Sequence, residues 1–324
     1  MKRSMMLLSL CLFWGLEGFA QNPPEKWTEE EIRSTVATVR GGRKLTPASW
    51  PGGARVAVCL SFDVDNETLS FRRENAGPVD YSAGEYGALT GLPRILALLD
   101  RQGLPASFYI PAASALLHPD MVKEIQESGR HEIALHGWIH ENLAVLEDRA
   151  EEERLLSKSI EYFTAVLGKK PRGFRAPSWA FSRHTLSLIR EQGFLYDSSM
   201  MARDEPYELL LEGEPAGLVE LPVDWILDDY PYYGPAASGS APGVSAATGV
   251  YRREFERAYE EGTFLMLTFH PHIVGHRYRM ADLEDLVSYM RSKKGVWFAT
   301  AEQIAEHVKN EAQLSTGKAS SFSR

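Results

Sequence analysis

Apolar residues gather in short, near-continuous runs: Arg55–Phe62, Ala106–Ile110, Glu132–Leu135, Gly173–Arg175, Val219–Leu221, Phe264–Phe269 and Val296–Ala299. Runs of this length with little polar alternation suit parallel strands buried on both faces. Helical patterns lie between them, over Gly91–Arg101, Pro119–Ser128, Arg149–Leu167, Ser182–Gln192, Met280–Ser292 and Ala301–Ala312. Gly103, Gly129, Gly168 and Gly193 follow four of these and read as stops; Ser182 reads as an N-cap. Strand then helix, repeated about seven times, predicts an α/β fold with a parallel sheet. Periodicity alone leaves a barrel and a doubly wound sheet both open.

The ends break this rhythm. Lys2 and Arg3 precede an apolar run from Met5 to Leu16, and Gly18-Phe19-Ala20 then offers small residues where a signal peptidase reads. Residues 1–20 are therefore expected to be a secretory signal peptide; an uncleaved anchor is the alternative. Cleavage leaves a secreted or periplasmic chain with no stable membrane insertion. Its one remaining cysteine, Cys59, lies in an apolar strand and reads as a small buried hydrophobe. Residues 21–54 read as an N-terminal leader with one helix over Glu29–Val39. Residues 55–308 carry the repeating strand–helix pattern as one domain, and 309–324 read as a disordered tail. Gly234–Gly249, all small residues and proline apart from its valine, reads as a mobile surface loop.

Composition changes this picture little. Of 324 residues, 44% are hydrophobic and 24% charged, an ordinary globular balance. The net charge of −9 repels phosphate backbones, so no nucleic-acid partner is expected.

The candidate chemistry sits where strands end. VAVCLSFDVDNET delivers Asp63 and Asp65, two apart, at the end where parallel α/β folds build active sites. Alone, the pair could equally cap the strand in an Asx-type turn. HEIALHGWIHEN then places His136 and His140 four apart, a spacing that shares one face of a helical turn. Two imidazoles and a carboxylate make a common facial metal set, with Asp65 the natural third ligand. Asp63 is then free to act as a base. GFRAPSW puts Arg175 at a strand end, where it could hold Asp63 ionised or form a mere surface salt bridge. FLMLTFHP aims His270 at the same mouth, as a candidate general acid. Trp179, Trp225 and Tyr230 are aromatics suited to stacking on a sugar, or to ordinary packing. His131 reads as a surface residue, and His272 and His276 carry no assignment.

Asp-x-Asp, His-x-x-x-His, Arg-Ala-Pro-x-Trp and a late Phe-His-Pro, in this order, resemble the NodB-homology polysaccharide deacetylases (carbohydrate esterase family 4). The resemblance covers residues 55–308. It implies a distorted (β/α) barrel of about seven parallel strands and a divalent metal, usually zinc, serving hydrolysis of acetyl groups. It implies Asp63 as base, Asp65, His136 and His140 as metal ligands, Arg175 holding the base, and His270 as acid. Asp224 resembles the carboxylate that tunes that histidine. The Asp-Val-Asp and His-Gly-Trp-Ile-His variants are similar to a subgroup holding a peptidoglycan deacetylase, cyclic-imide hydrolases and allantoinases. Members of that subgroup often form homo-oligomers, in which a neighbour can narrow the mouth.

Three readings follow. The first is a secreted metal-dependent deacetylase of an N-acetylated glycan, peptidoglycan or chitin-like, a hydrolase of non-peptide carbon–nitrogen bonds. The second is a small-molecule amidohydrolase of the cyclic-imide or allantoinase type. The third is an inactive carbohydrate-binding relative.

Overall fold

The computed structural model describes residues 27–234 and 245–314. The signal-peptide segment and most of the Gly234–Gly249 stretch lie outside them. Residues up to Ala37 form one unit and Thr38 onward a second. The first holds the helix Glu29–Ala37, two residues shorter than expected. Thr28 and Glu31 cap it reciprocally: Glu31 N–H donates to Thr28 Oγ1 at 3.2 Å, and Thr28 N–H donates to the Glu31 carboxylate at 2.7 Å.

In the second unit, the described strands are β1 (Val39–Lys44), β2 (Val56–Asp63), β3 (Ser107–Ile110), β4 (Glu132–Leu135), β5 (Gly173–Phe174), β6 (Tyr196–Asp197), β7 (Tyr207–Leu211), β8 (Glu214–Glu220), β9 (Phe264–Phe269) and β10 (Val296–Phe298). All join one sheet in the order β1-β7-β8-β6-β5-β4-β3-β2-β10, with β9 also paired to β2. Every pair from β8 through β2 to β9 and β10 is parallel; β1–β7 and β7–β8 are antiparallel. Seven parallel strands, β9-β2-β3-β4-β5-β6-β8, curl until a single parallel bridge, Asp228 to Thr268, joins the segment after β8 to β9. This is the expected distorted (β/α) barrel, with β10 against the first half of β2.

β2 shows how the sequence fills both faces. Its eight residues are all buried. Val56, Val58, Leu60 and Phe62 belong to the apolar layer shared with the helices, whereas Ala57 and Cys59 belong to the barrel interior with Tyr109, Tyr196 and Met266. Alternation of period two therefore continues the interior face to Ser61 and Asp63. Cys59 is fully buried, as expected.

The six expected helices form within a few residues of their predicted bounds. Gly168 ends the longest, Arg149–Leu167, in the left-handed conformation (φ 71°) that favours glycine. The Ser182 hydroxyl accepts from His184 and Thr185 N–H at 2.8 and 3.2 Å, so it caps the helix Thr185–Glu191 from slightly further upstream than predicted.

The structure departs from the sequence reading at its margins. The leader is not all approach: β1 adds an antiparallel edge to β7, and Leu45 and Trp50 are buried. Ser245–Glu261 is helical, so the expected loop stops short of Gly249. Ala247, Tyr251, Phe255 and Ala258 recur at helical spacing and are buried, which outweighs the small-residue composition. The last helix runs to Glu311 and Leu314 is buried, so residues 309–314 belong to the fold rather than to the expected tail, whose remainder lies outside the described residues. His131 is half-buried against Phe108, ring centroids 5.3 Å apart, rather than on the surface.

One buried pair makes stability fall with pH. Asp197 on β6 and Glu220 on β8 are register partners, both fully buried. One Glu220 oxygen accepts from Ser199 and Met200 N–H at 2.9 and 2.8 Å. Burial, then the charge of Asp197, raise Glu220 well above its ordinary 4.5; burial pushes Asp197 up to about 6. The folded state thus holds a proton that the unfolded chain releases above pH 4.5. Stability attached to Glu220 is complete below that value and is lost as pH rises towards the folded value, by up to about 1.4 kcal/mol per pH unit. Glu220→Gln keeps the acceptor oxygen and removes the titration. Thermal melts from pH 5 to 8 should show a shallower decline for the variant than for the parent; parallel declines would refute the assignment.

Candidate active site

Five loops at the C-terminal ends of the parallel strands meet around one cavity of about 190 Å³. Asp63 closes β2 and points into the barrel. Burial alone would raise its carboxyl, but Arg175, His136 and His270 outweigh that and hold it below the usual aspartate value. Arg175, immediately after β5, is fully buried and donates through Nη1 to Asp63 Oδ1 at 2.5 Å and to Ser61 Oγ at 3.1 Å. Its other donors reach the Ser198 carbonyl and hydroxyl at 3.0 and 2.9 Å, and its plane lies 3.8 Å over the Tyr109 ring. The surface-salt-bridge alternative for Arg175 is thereby excluded. With Oδ1 engaged, Asp63 Oδ2 faces His136 Nε2 at 3.8 Å.

Asp65 reaches the site differently from the sequence argument. β2 ends at Asp63, and Asp65 opens the 3₁₀ turn Asn66–Ser70 in a helical conformation, so the two are not strand neighbours of one face. Nor do His136 and His140 share a helix. They flank a tight loop after β4 in which Gly137 has φ 75° and His140 φ 60°. A Cβ at Gly137 would come within 2.8 Å of Pro177 and 3.0 Å of Glu141 Oε1. Glu141 fixes the loop by accepting from Trp138 and Ile139 N–H at 3.0 and 2.8 Å. The spacing found the right pair through a turn rather than a helix.

Ligand atoms of Asp65, His136 and His140 lie within 4.8 Å of one another. His136 Nδ1 donates to the Arg175 carbonyl at 2.8 Å, which fixes the tautomer and leaves Nε2 a bare lone pair 3.5 Å from Asp65 Oδ1. His140 Nε2 is 3.5 Å from Asp65 Oδ2. Both Asp65 oxygens and His136 Nε2 are buried without a hydrogen-bond partner. Burial pulls His136 down to about 4 and His140 well below its ordinary value, so both rings are neutral at pH 7. Two neutral imidazoles, one carboxylate and orphaned polar atoms fit a divalent metal.

His270 follows β9 with Nε2 3.6 Å from Asp65 Oδ2. Its Nδ1 bonds Asp229 Oδ1 at 2.7 Å, and its backbone N–H donates to Asp229 Oδ2 at 3.1 Å. Burial would lower this imidazole, but Asp228 and Asp229 raise it well above 6.5. Asp224 is not its hydrogen-bond partner. It caps the turn Trp225–Leu227 by accepting from Ile226 N–H at 3.0 Å. The Asp228–Thr268 bridge brings the next residue, Asp229, beside His270, and Asp229 N–H donates to the Thr268 carbonyl at 3.2 Å. The sequence reading missed Asp229 because nothing in the run DWILDDY marks which aspartate meets β9.

Trp179, Trp225 and Tyr230 all line the cavity, the two indoles 4.2 Å apart and Tyr230 5.6 Å from the His270 ring. Arg72 and Ser178, unassigned from sequence, line it too. Glu67, two residues after Asp65, pairs with His118 at 2.9 Å and does not line the cavity.

The polysaccharide deacetylase family pattern matches residues 81–196. A peptidoglycan deacetylase of Helicobacter pylori is 30% identical, over 77% of this chain and 95% of its own. A structure from Mycobacterium smegmatis described as a polysaccharide deacetylase is 38% identical, with TM-score 0.76 over 83% of this chain and 95% of the other. An allantoinase structure is 26% identical, with TM-score 0.72 over 81% and 92%.

Proposed function

This chain belongs to the polysaccharide deacetylase family, hydrolases acting on carbon–nitrogen bonds, and on that premise we infer that it is a secreted, zinc-dependent deacetylase of an N-acetylated glycan, peptidoglycan or chitin-like. The observation that carries the reading is one cavity lined by a carboxylate paired with a buried arginine, a three-residue donor set and an imidazole held by two aspartates. Asp65, His136 and His140 are the residues to hold the metal. Zinc, when bound, supplies Lewis-acid polarisation and stabilises negative charge.

The chain's own groups divide the proton work. Asp63 Oδ2 accepts the proton of the attacking water. Arg175 keeps that carboxylate ionised and oriented. His270, charged through Asp228 and Asp229, donates its Nε2 proton to the departing amine. Trp179, Trp225 and Tyr230 form the aromatic wall for the sugar.

Residues 1–20 are proposed as the export signal. The kinship with a bacterial peptidoglycan deacetylase supports action outside the cytoplasm. Among the described residues, no helix is long and apolar enough to cross a membrane.

Acetate release from N-acetylated chitooligosaccharides and peptidoglycan fragments by zinc-loaded protein is the expected result; no release from any of them sinks the reading. The allantoinase likeness favours a second reading, hydrolysis of a cyclic imide or ureide. Turnover of allantoin, hydantoin or succinimide without acetate release from glycans would select it.

A further inference from the structure

Arg72 follows the 3₁₀ turn Asn66–Ser70 and lines the cavity with Asp65, His140 and Trp179. Its Nη2 donates to Ser178 Oγ at 3.0 Å, so the side chain spans from the loop after β2 to the loop after β5. That bond uses one of five guanidinium donors. Its neighbour Arg73 pairs with Asp80 at 3.1 Å, whereas Arg72 makes no ion pair among the described residues. Arg72 is exposed, and its charge reaches inward to Asp65 and His140.

The far wall is held in an unusual shape. Ser178 and Trp179 both have φ 53°, consecutive L residues in the left-handed region. Such strain persists only where surrounding structure imposes it, and it clusters at ligand sites. Here it turns the Ser178 hydroxyl to Arg72 and lays Trp179 against Trp225. An exposed cation thus borders an indole platform at the mouth of a site built for a neutral amide.

We propose that Arg72 reads a carboxylate on the substrate, so that the site prefers acetamido glycans whose sugar also carries a carboxylate on a neighbouring carbon. The glycan identity rests on the function proposed above; the selection of negative charge rests on Arg72. Arg72 lines the same cavity of about 190 Å³ as Asp63 and His270, so a substituent beside an acetamide bound between those two would meet a cation on the wall. A planar guanidinium accepts a carboxylate there through two parallel hydrogen bonds.

The experiment compares a neutral N-acetylglucosamine oligomer with a peptide-free glycan containing N-acetylmuramic acid, whose unsubstituted lactyl ether supplies the free carboxylate. It measures kcat/KM and, separately, binding by tryptophan fluorescence, for the parent, Arg72→Gln and Ser178→Ala. The parent should prefer the carboxylate glycan. Arg72→Gln should cut that preference about tenfold, mainly through KM. Ser178→Ala should retain it, because the guanidinium remains. A parent without preference, or an equal loss on both glycans in Arg72→Gln, overturns the assignment, the latter marking Arg72 as a strap between loops. If neither glycan is deacetylated, the function proposed above fails. The fluorescence preference and its loss in Arg72→Gln then still decide the role of Arg72.

Discussion

Loaded with zinc, Asp63→Asn should keep the metal and lose turnover by about 10²–10⁴-fold, whereas Asp65→Asn should lose most of the metal as well as its turnover. The two carboxylates differ in what already holds them. Asp63 Oδ1 is taken by Arg175, and its Oδ2 stands by the cavity for a proton. Both Asp65 oxygens are buried without a partner, facing His136 and His140. Asparagine fits either space, but its amide cannot accept the proton that Asp63 takes. It also offers a metal only a neutral, weaker donor. Zinc content measured beside acetate release separates the roles. Equal zinc loss in both variants would make both residues ligands and leave the base unidentified.

Arg175→Met should destabilise the fold by about 3–5 kcal/mol, because it leaves the buried Asp63 carboxylate without the guanidinium that pairs with it. Arg175 is fully buried and holds β2, β5 and the Ser198 segment together through Asp63, Ser61 and Ser198. Adding Asp63→Asn to Arg175→Met removes the stranded charge and should return part of the loss. Denaturant unfolding of the four proteins in the cycle checks this. Simple additivity would show that Arg175 acts through packing alone and that its pairing with Asp63 carries no stability.

The strand framework was legible because parallel strands buried on both faces leave unbroken apolar runs, as in β2 and β9. β6 and β7 left weaker traces. β6 is two residues long, and β7 sits at the antiparallel margin, where its pattern competes with turn residues around it. Asp63, Asp65, His136, His140, Arg175 and His270 were all readable as residues at strand ends, and the structure gathers them around one cavity. The local geometry was not readable. The imidazoles meet through a glycine-dependent turn, and Asp65 enters from a 3₁₀ turn. Asp229 was missed because its position depends on one long-range backbone bridge, and Arg72 because an exposed arginine in a polar loop carries no periodic signal.

The bridge between Asp228 and Thr268 is the one described pairing that links the segment after β8 to β9, while the loops that carry the proposed metal ligands follow β2 and β4, which pair with β9 and β3 over six and four residues. Asp229, which grips His270 twice, rides on that seam. The protein therefore has an ordered way to fail. Parting the seam uncouples the proton donor from its carboxylates while Asp65, His136 and His140 keep their arrangement. Mild heat or denaturant should then yield a species that is catalytically silent yet still binds a divalent metal at the proposed ligands, so metal content measured beside turnover would report the two losses separately.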